Sequence, residues 1–70
     1  FTDAFEIRGL TPDKRAQIYI FNLSGTLVWS GQQIPREGRF VVRVPGLPSG
    51  LYIVEVRQGG VQSLYKIQRQ

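Results

Sequence analysis

The 70-residue chain has no cysteine, so it holds no disulfide, no thiolate metal ligand and no cysteine nucleophile. It has no histidine either, which removes the commonest general base and the commonest metal ligand. Carboxylates are few: Asp3, Glu6, Asp13, Glu37 and Glu55. The nearest pair, Asp3 and Glu6, would point to opposite faces of a regular strand, whereas acid–base chemistry needs close, oriented groups. Ser24, Ser30, Ser49 and Ser63 have no histidine to activate them, and neither Lys14 nor Lys66 sits in a serine–lysine motif. Gly46 and Gly50 lead into a strand, where a phosphate loop would feed a helix N-terminus. Apolar runs last only a few residues, so none spans a membrane, and no signal peptide is present. A chain this short is one domain at most and buries only about 60% of its unfolded surface. A deep substrate cleft is not expected. These absences point away from an enzyme and from any cofactor or metal.

What the chain does have is positive charge. Nine Lys and Arg stand against five Asp and Glu, for a net charge of +4 and a pI near 10.1. A basic small domain invites a polyanion partner: nucleic acid, anionic lipid or anionic polysaccharide. The basic residues, however, never form a run longer than the Lys14-Arg15 pair. Such scattering also serves to keep a β domain soluble and to blunt its sheet edges. The chain starts at Phe1 rather than Met, which reads as a domain cut from a longer protein. A signal peptide would then sit on the missing part.

No segment keeps a 3.6-residue apolar period. Short runs rich in Val, Ile, Tyr and Phe alternate with Gly, Pro, Asn and Ser clusters about every 8 to 12 residues, the all-β pattern. Residues 5–10 form the first run, with Phe5 and Ile7 on one face. Residues 11–14 are a turn built on Pro12 and Asp13. In the run 17–23, Ile18 and Ile20 share one face while Tyr19, Phe21 and Leu23 share the other, so this strand is expected to be central and covered on both sides. Residues 22–25 turn into a third run at 26–29. Residues 30–38 read as a polar loop, with Ile34 tacked to the core. In 39–44, Phe40, Val42 and Val44 point inward, with Arg39, Arg43 and Val41 outward. The turn 45–50 is rigid, and Leu47 is expected to plug the end of the core. Tyr52, Val54 and Val56 face inward in the fifth run, Gln58-Gly59-Gly60 signals a hairpin, and 61–69 is the last run, with Tyr65 and Ile67 inward and Lys66 and Gln68 outward.

Short links require antiparallel pairing. Two facing sheets bury both apolar faces better than one. The expectation is a small all-β antiparallel sandwich of six to seven strands. The aromatics Tyr19, Phe21, Trp29, Tyr52 and Tyr65 could stack on bases beside Arg8, Arg43 and Arg57. Alternation instead assigns Tyr52 and Tyr65 to the core, and Trp29 is the one it leaves open.

Three blocks carry a resemblance. Ile18-Tyr19-Ile20-Phe21-Asn22-Leu23-Ser24-Gly25-Thr26-Leu27-Val28 is similar to the I-x-I-Y-D-L-x-G-x-x-V block of type IX secretion C-terminal sorting domains. Residues 44–56, containing Leu47-Pro48-Ser49-Gly50-Leu51-Tyr52-Ile53-Val54-Glu55-Val56, resemble the family's L-P-x-G-x-Y-x-V-x-V block. Tyr65-Lys66-Ile67-Gln68-Arg69-Gln70 is similar to its terminal K-I/V/F-x-K/R motif. Phe1-Thr2-Asp3 resembles the residues just after the Asn-Pro pair at the family's domain start. The blocks cover essentially the whole chain, in order. Three positions depart from the pattern: Asn22 stands for a commoner Asp, Thr26 for a commoner Arg or Lys, and Gln68-Arg69-Gln70 for a lysine-rich tail.

The resemblance implies an Ig-like sandwich at the C-terminus of a Bacteroidetes protein that crosses the periplasm on its way to the outer membrane and cell surface. It implies recognition by outer-membrane type IX shuttle and translocon components. In many relatives a sortase then removes the domain and joins the cargo to anionic lipopolysaccharide; in others the domain is retained. The signal residues it points to are Gly46, Leu47, Pro48, Gly50 and Tyr52, and the tail Tyr65, Lys66, Ile67, Gln68, Arg69 and Gln70. Nucleic acid is not an expected partner on this reading. The readings from other classes are a basic β module that binds a polyanion and a structural spacer of a surface protein.

Overall fold

The computed structural model describes residues 3–70. Phe1 and Thr2 of the expected domain start lie outside them. Six strands run in chain order: β1 (Ala4–Ile7), β2 (Ala16–Asn22), β3 (Leu27–Gln33), β4 (Phe40–Arg43), β5 (Gly50–Gln58) and β6 (Val61–Arg69). β2, β3, β5 and β6 form one antiparallel sheet in the order β3-β2-β5-β6, and β1 pairs with β4 in a second. The second sheet lies over one face of the first. The product is the small antiparallel Ig-like sandwich, without a helix among the described residues.

Alternation produces the core. Ala16, Ile18 and Ile20 of β2 and Tyr52, Val54 and Val56 of β5 are buried from one side; Ile7, Phe40, Val42 and Val44 close over them from the other. Each large aliphatic side chain so buried contributes about 1.5–3 kcal/mol. Val41 and Arg43, between the buried positions of β4, are exposed. Leu47 packs against the core from its loop, as its place between two prolines suggested. Gln58 pairs with Val61 across the two-residue turn Gly59-Gly60.

Trp29, left open by alternation, pairs with Ile20 on the inner face and packs against the core. Its ring lies over Gly31: a Cβ added there would stand 2.6 Å from the ring carbon Cη2. Glycine at 31 is what allows the indole to lie flat along the strand.

Four expectations are corrected. β3 runs to Gln33, so Ser30, Gly31, Gln32 and Gln33 are strand rather than loop. Their backbone pairs with Tyr19, Ile18, Gln17 and Ala16, and an edge strand tolerates polar side chains. Ile34 is exposed, and its neighbour Pro35 is buried in its stead. β2 is central, yet among the described residues its outer face carries no second layer, because both strands of the smaller sheet sit on the inner side. Leu23 is exposed there, Phe21 is half-buried, and the Arg57 guanidinium shelters the Tyr19 ring from 5.4 Å. The first run ends as strand at Ile7 rather than Leu10; Leu10 still donates its N–H to the Gly38 carbonyl at 3.0 Å.

Candidate recognition surface

The β4–β5 loop and the end of β6 meet at one end of the sandwich. The register of β5 against β6 pairs Gly50 with Arg69, Leu51 with Gln68, Tyr52 with Ile67 and Ile53 with Lys66. On its other edge β5 pairs with β2, so that Tyr52 faces Asn22 and Val54 faces Ile20. The three blocks that carry the sequence resemblance are therefore three adjacent strands, β2, β5 and β6.

Two side chains hold the loop, both through backbone carbonyls. The buried Tyr52 donates its hydroxyl to the Pro48 carbonyl at 2.5 Å. Arg69 donates Nε to the Leu47 carbonyl at 2.5 Å and reaches the Asp3 carboxylate at 3.1 Å. The Arg69 side chain is 15% exposed while that of Asp3 is 68% exposed. The Asp3 carbonyl also accepts the Val44 N–H at 2.8 Å, so the start of the described chain is laced to the base of the same loop. Gly50 closes the loop with φ at +145°, a conformation that side-chain-bearing residues rarely adopt.

The turn between β2 and β3 is held from one residue. Asn22 Oδ1 accepts the N–H groups of Ser24 and Thr26, each at 3.0 Å. The backbone of Asn22 also exchanges bonds with Thr26 and Gly25. Both side-chain bonds fall on one acceptor oxygen, which an aspartate would supply equally well.

The profile of the secretion system C-terminal sorting domain matches residues 1–69 of this chain. The chain belongs to that family. Neither the curated proteins nor the solved structures contain a match. The domain is a C-terminal secretion sorting signal of the type IX class.

Within the sorting domain, the residues singled out from sequence divide by direction. Leu47, Tyr52, Ile67 and Arg69 turn inward and build the end of the core. Gly46, Pro48, Lys66, Gln68 and Gln70 are exposed. Tyr65 departs from expectation. It lies opposite the core residue Val54, on the inner face, yet remains 49% exposed, because among the described residues the smaller sheet ends at β1 and does not close over this part of β6.

Gln58 was not singled out from sequence, where it reads as a hairpin residue. Its side-chain amide donates to the carbonyls of Thr11 and Lys14 at 2.7 and 2.8 Å, while its oxygen accepts the Thr11 N–H at 2.7 Å. It fastens the β1–β2 turn to the far end of the main sheet. No local pattern announces it, since the partners stand more than forty residues away. Among the described residues, no three His, Cys, Asp or Glu side chains gather as a metal site would need.

Proposed function

We propose that this sorting domain is a non-enzymatic address, read at the outer membrane by components of the type IX secretion machinery, that takes its parent protein through the periplasm to the cell surface. The machinery reads the exposed side of the 45–49 loop and of the tail 65–70. The observation that carries this reading is the pairing of Gly50 with Arg69 and of Tyr52 with Ile67, which gathers loop and tail into one patch held from inside. A sorting signal must be folded, portable and free of chemistry that would interfere with varied cargo. A histidine-free, cysteine-free sandwich meets that requirement.

The test is a transplant. The 70 residues are fused to the C-terminus of an inert periplasmic reporter in a host with type IX secretion, beside a matched fusion that ends at Tyr65. Surface display of the reporter with the full tail, and periplasmic retention without it, is the expected result. Its mass at the surface reports whether the domain is removed or kept. A folded full-length fusion that stays in the periplasm would sink the proposal.

A further inference from the structure

The outer face of the four-stranded sheet breaks the polar-out alternation of a solvated sheet. In register across three strands lie Leu27 of β3, Phe21 of β2 and Ile53 of β5, and Lys66 of β6 ends the row. Leu51 and Leu64, two residues along β5 and β6 on the same face, extend the apolar surface. Phe21 and Ile53 are half-buried, while Leu27, Leu51 and Leu64 are exposed. The outward strand positions carry three charges, Glu55, Arg57 and Lys66. Glu55 and Arg57 pair with each other at 2.5 Å, which leaves Lys66 alone. Apolar side chains gathered with so little net charge mark the centre of a protein interface. Among the described residues, the two-sided apolar pattern of β2 is thus unanswered within one chain.

We propose that a second copy of this chain covers the face, the two sheets packing about a two-fold axis parallel to the strands between β2 and β5. Such an axis lays β2 over the copy's β5 and β3 over the copy's β6, as the sheet order requires. Phe21 then meets Ile53 of the second copy. Leu27 meets the aliphatic stem of Lys66, whose ammonium stays at the wet rim. The apolar and charged ends of one row thereby become complementary under the symmetry. An axis across the strands would instead stack Lys66 on Lys66. With the parallel axis the two ammonium groups stand at opposite edges, at least about 14 Å apart and beyond the screening length. A face four strands wide and about seven residues long gives about 900 Å² over two copies, just short of what stable specific interfaces bury. The pairing is accordingly weak and reversible. It covers Lys66 and Gln68 from the outer side, so a paired domain and a domain read through its tail are alternative states.

The test is sedimentation equilibrium of the 70-residue chain over a rising concentration series, with backbone amide shifts followed over the same series. A monomer–dimer equilibrium with a dissociation constant below about 1 mM is expected, with shifts centred on Phe21, Leu27 and Ile53. Leu27→Lys changes an exposed position and sets like charges against each other at both ends of the interface. It should weaken pairing about two- to thirtyfold. Lys66→Glu added to that variant should restore pairing. Within one chain the two positions stand about 14 Å apart, so no internal contact explains such a rescue. Thermal denaturation verifies that each variant is folded. A chain that stays monomeric at 1 mM, shifts confined to the β3 or β6 edge, or a Leu27→Lys variant that pairs as the parent does would each overturn the inference. So would a loss that Lys66→Glu does not rescue. The pairing does not depend on the sorting role: its failure leaves the transplant result standing, and failure of the transplant leaves the pairing standing.

Discussion

Arg69 and Leu47 lie 22 residues apart and are joined by one hydrogen bond, guanidinium to carbonyl, at the end of the sandwich. Through it the last residue of β6 shapes the loop that enters β5. The tail is therefore two things at once. Its inward side chains hold the loop, and its outward side chains Lys66, Gln68 and Gln70 stay exposed, the side that the proposed function assigns to a reader. A truncation that removes both confounds them, which is why single substitutions are more informative here.

Replacing Arg69 by Ala removes a charge-assisted hydrogen bond to a loop carbonyl from a largely buried position. The expected loss is about 1.5–3 kcal/mol of folding stability, read by urea denaturation, with faster hydrogen exchange in residues 44–50. Asp3→Asn should cost less than about 1 kcal/mol, because its carboxylate is mostly exposed. Equal effects of the two would contradict the geometry.

Tyr52→Phe keeps the buried ring and removes only the hydroxyl that meets the Pro48 carbonyl. A loss of about 1 kcal/mol is expected, with the sandwich intact by circular dichroism and the loop amides less protected. Unchanged stability and protection would show that the hydroxyl does not anchor the loop.

Asn22→Asp should leave thermal stability nearly unchanged, since one side-chain oxygen accepts both turn N–H groups. Asn22→Ala should cost about 1–2 kcal/mol by the same measurement, as both donors lose their partner. The departure from the family's commoner Asp at this position is thus a replacement of like by like. Failure of Asn22→Asp to fold would refute that.

Gln58→Glu turns two donations to carbonyls into repulsions while leaving the size unchanged. We expect a loss of about 1–3 kcal/mol and earlier exchange at Thr11 in hydrogen-exchange experiments. Gln58→Ala with no loss would show that the β1–β2 turn stands without this bridge.

Much of the fold was legible because two-residue alternation is strong where one face is buried. Phe40, Val42 and Val44, and Tyr52, Val54 and Val56, assign themselves, and the Gly59-Gly60 turn sets the register of the last hairpin. The three motif blocks were legible too, but not that they are adjacent strands, since pairing is a property of distant residues. β3 hid its second half because Ser30, Gln32 and Gln33 are polar, and only the backbone of β2 makes them strand. Pro35 displaced Ile34 from the core for a reason local hydropathy does not contain: which residue faces in depends on where β3 ends. Tyr65 had the alternation of a core residue, and its exposure results from the width of the opposite sheet. The inward role of Arg69 was equally hidden, as a terminal arginine reads as a surface charge until the 45–49 loop is seen beside it.

The most direct measurement separates holding from reading. Lys66→Glu combined with Gln70→Glu alters two exposed tail positions and leaves Tyr52, Ile67 and Arg69 in place. The doubly substituted domain is fused to the periplasmic reporter, its folding verified by thermal denaturation, and the reporter assayed at the cell surface. The expectation is a domain as stable as the parent, within about 0.5 kcal/mol, and a reporter retained in the periplasm. Undiminished surface display of that folded variant would contradict a signal read through the outward side of the tail.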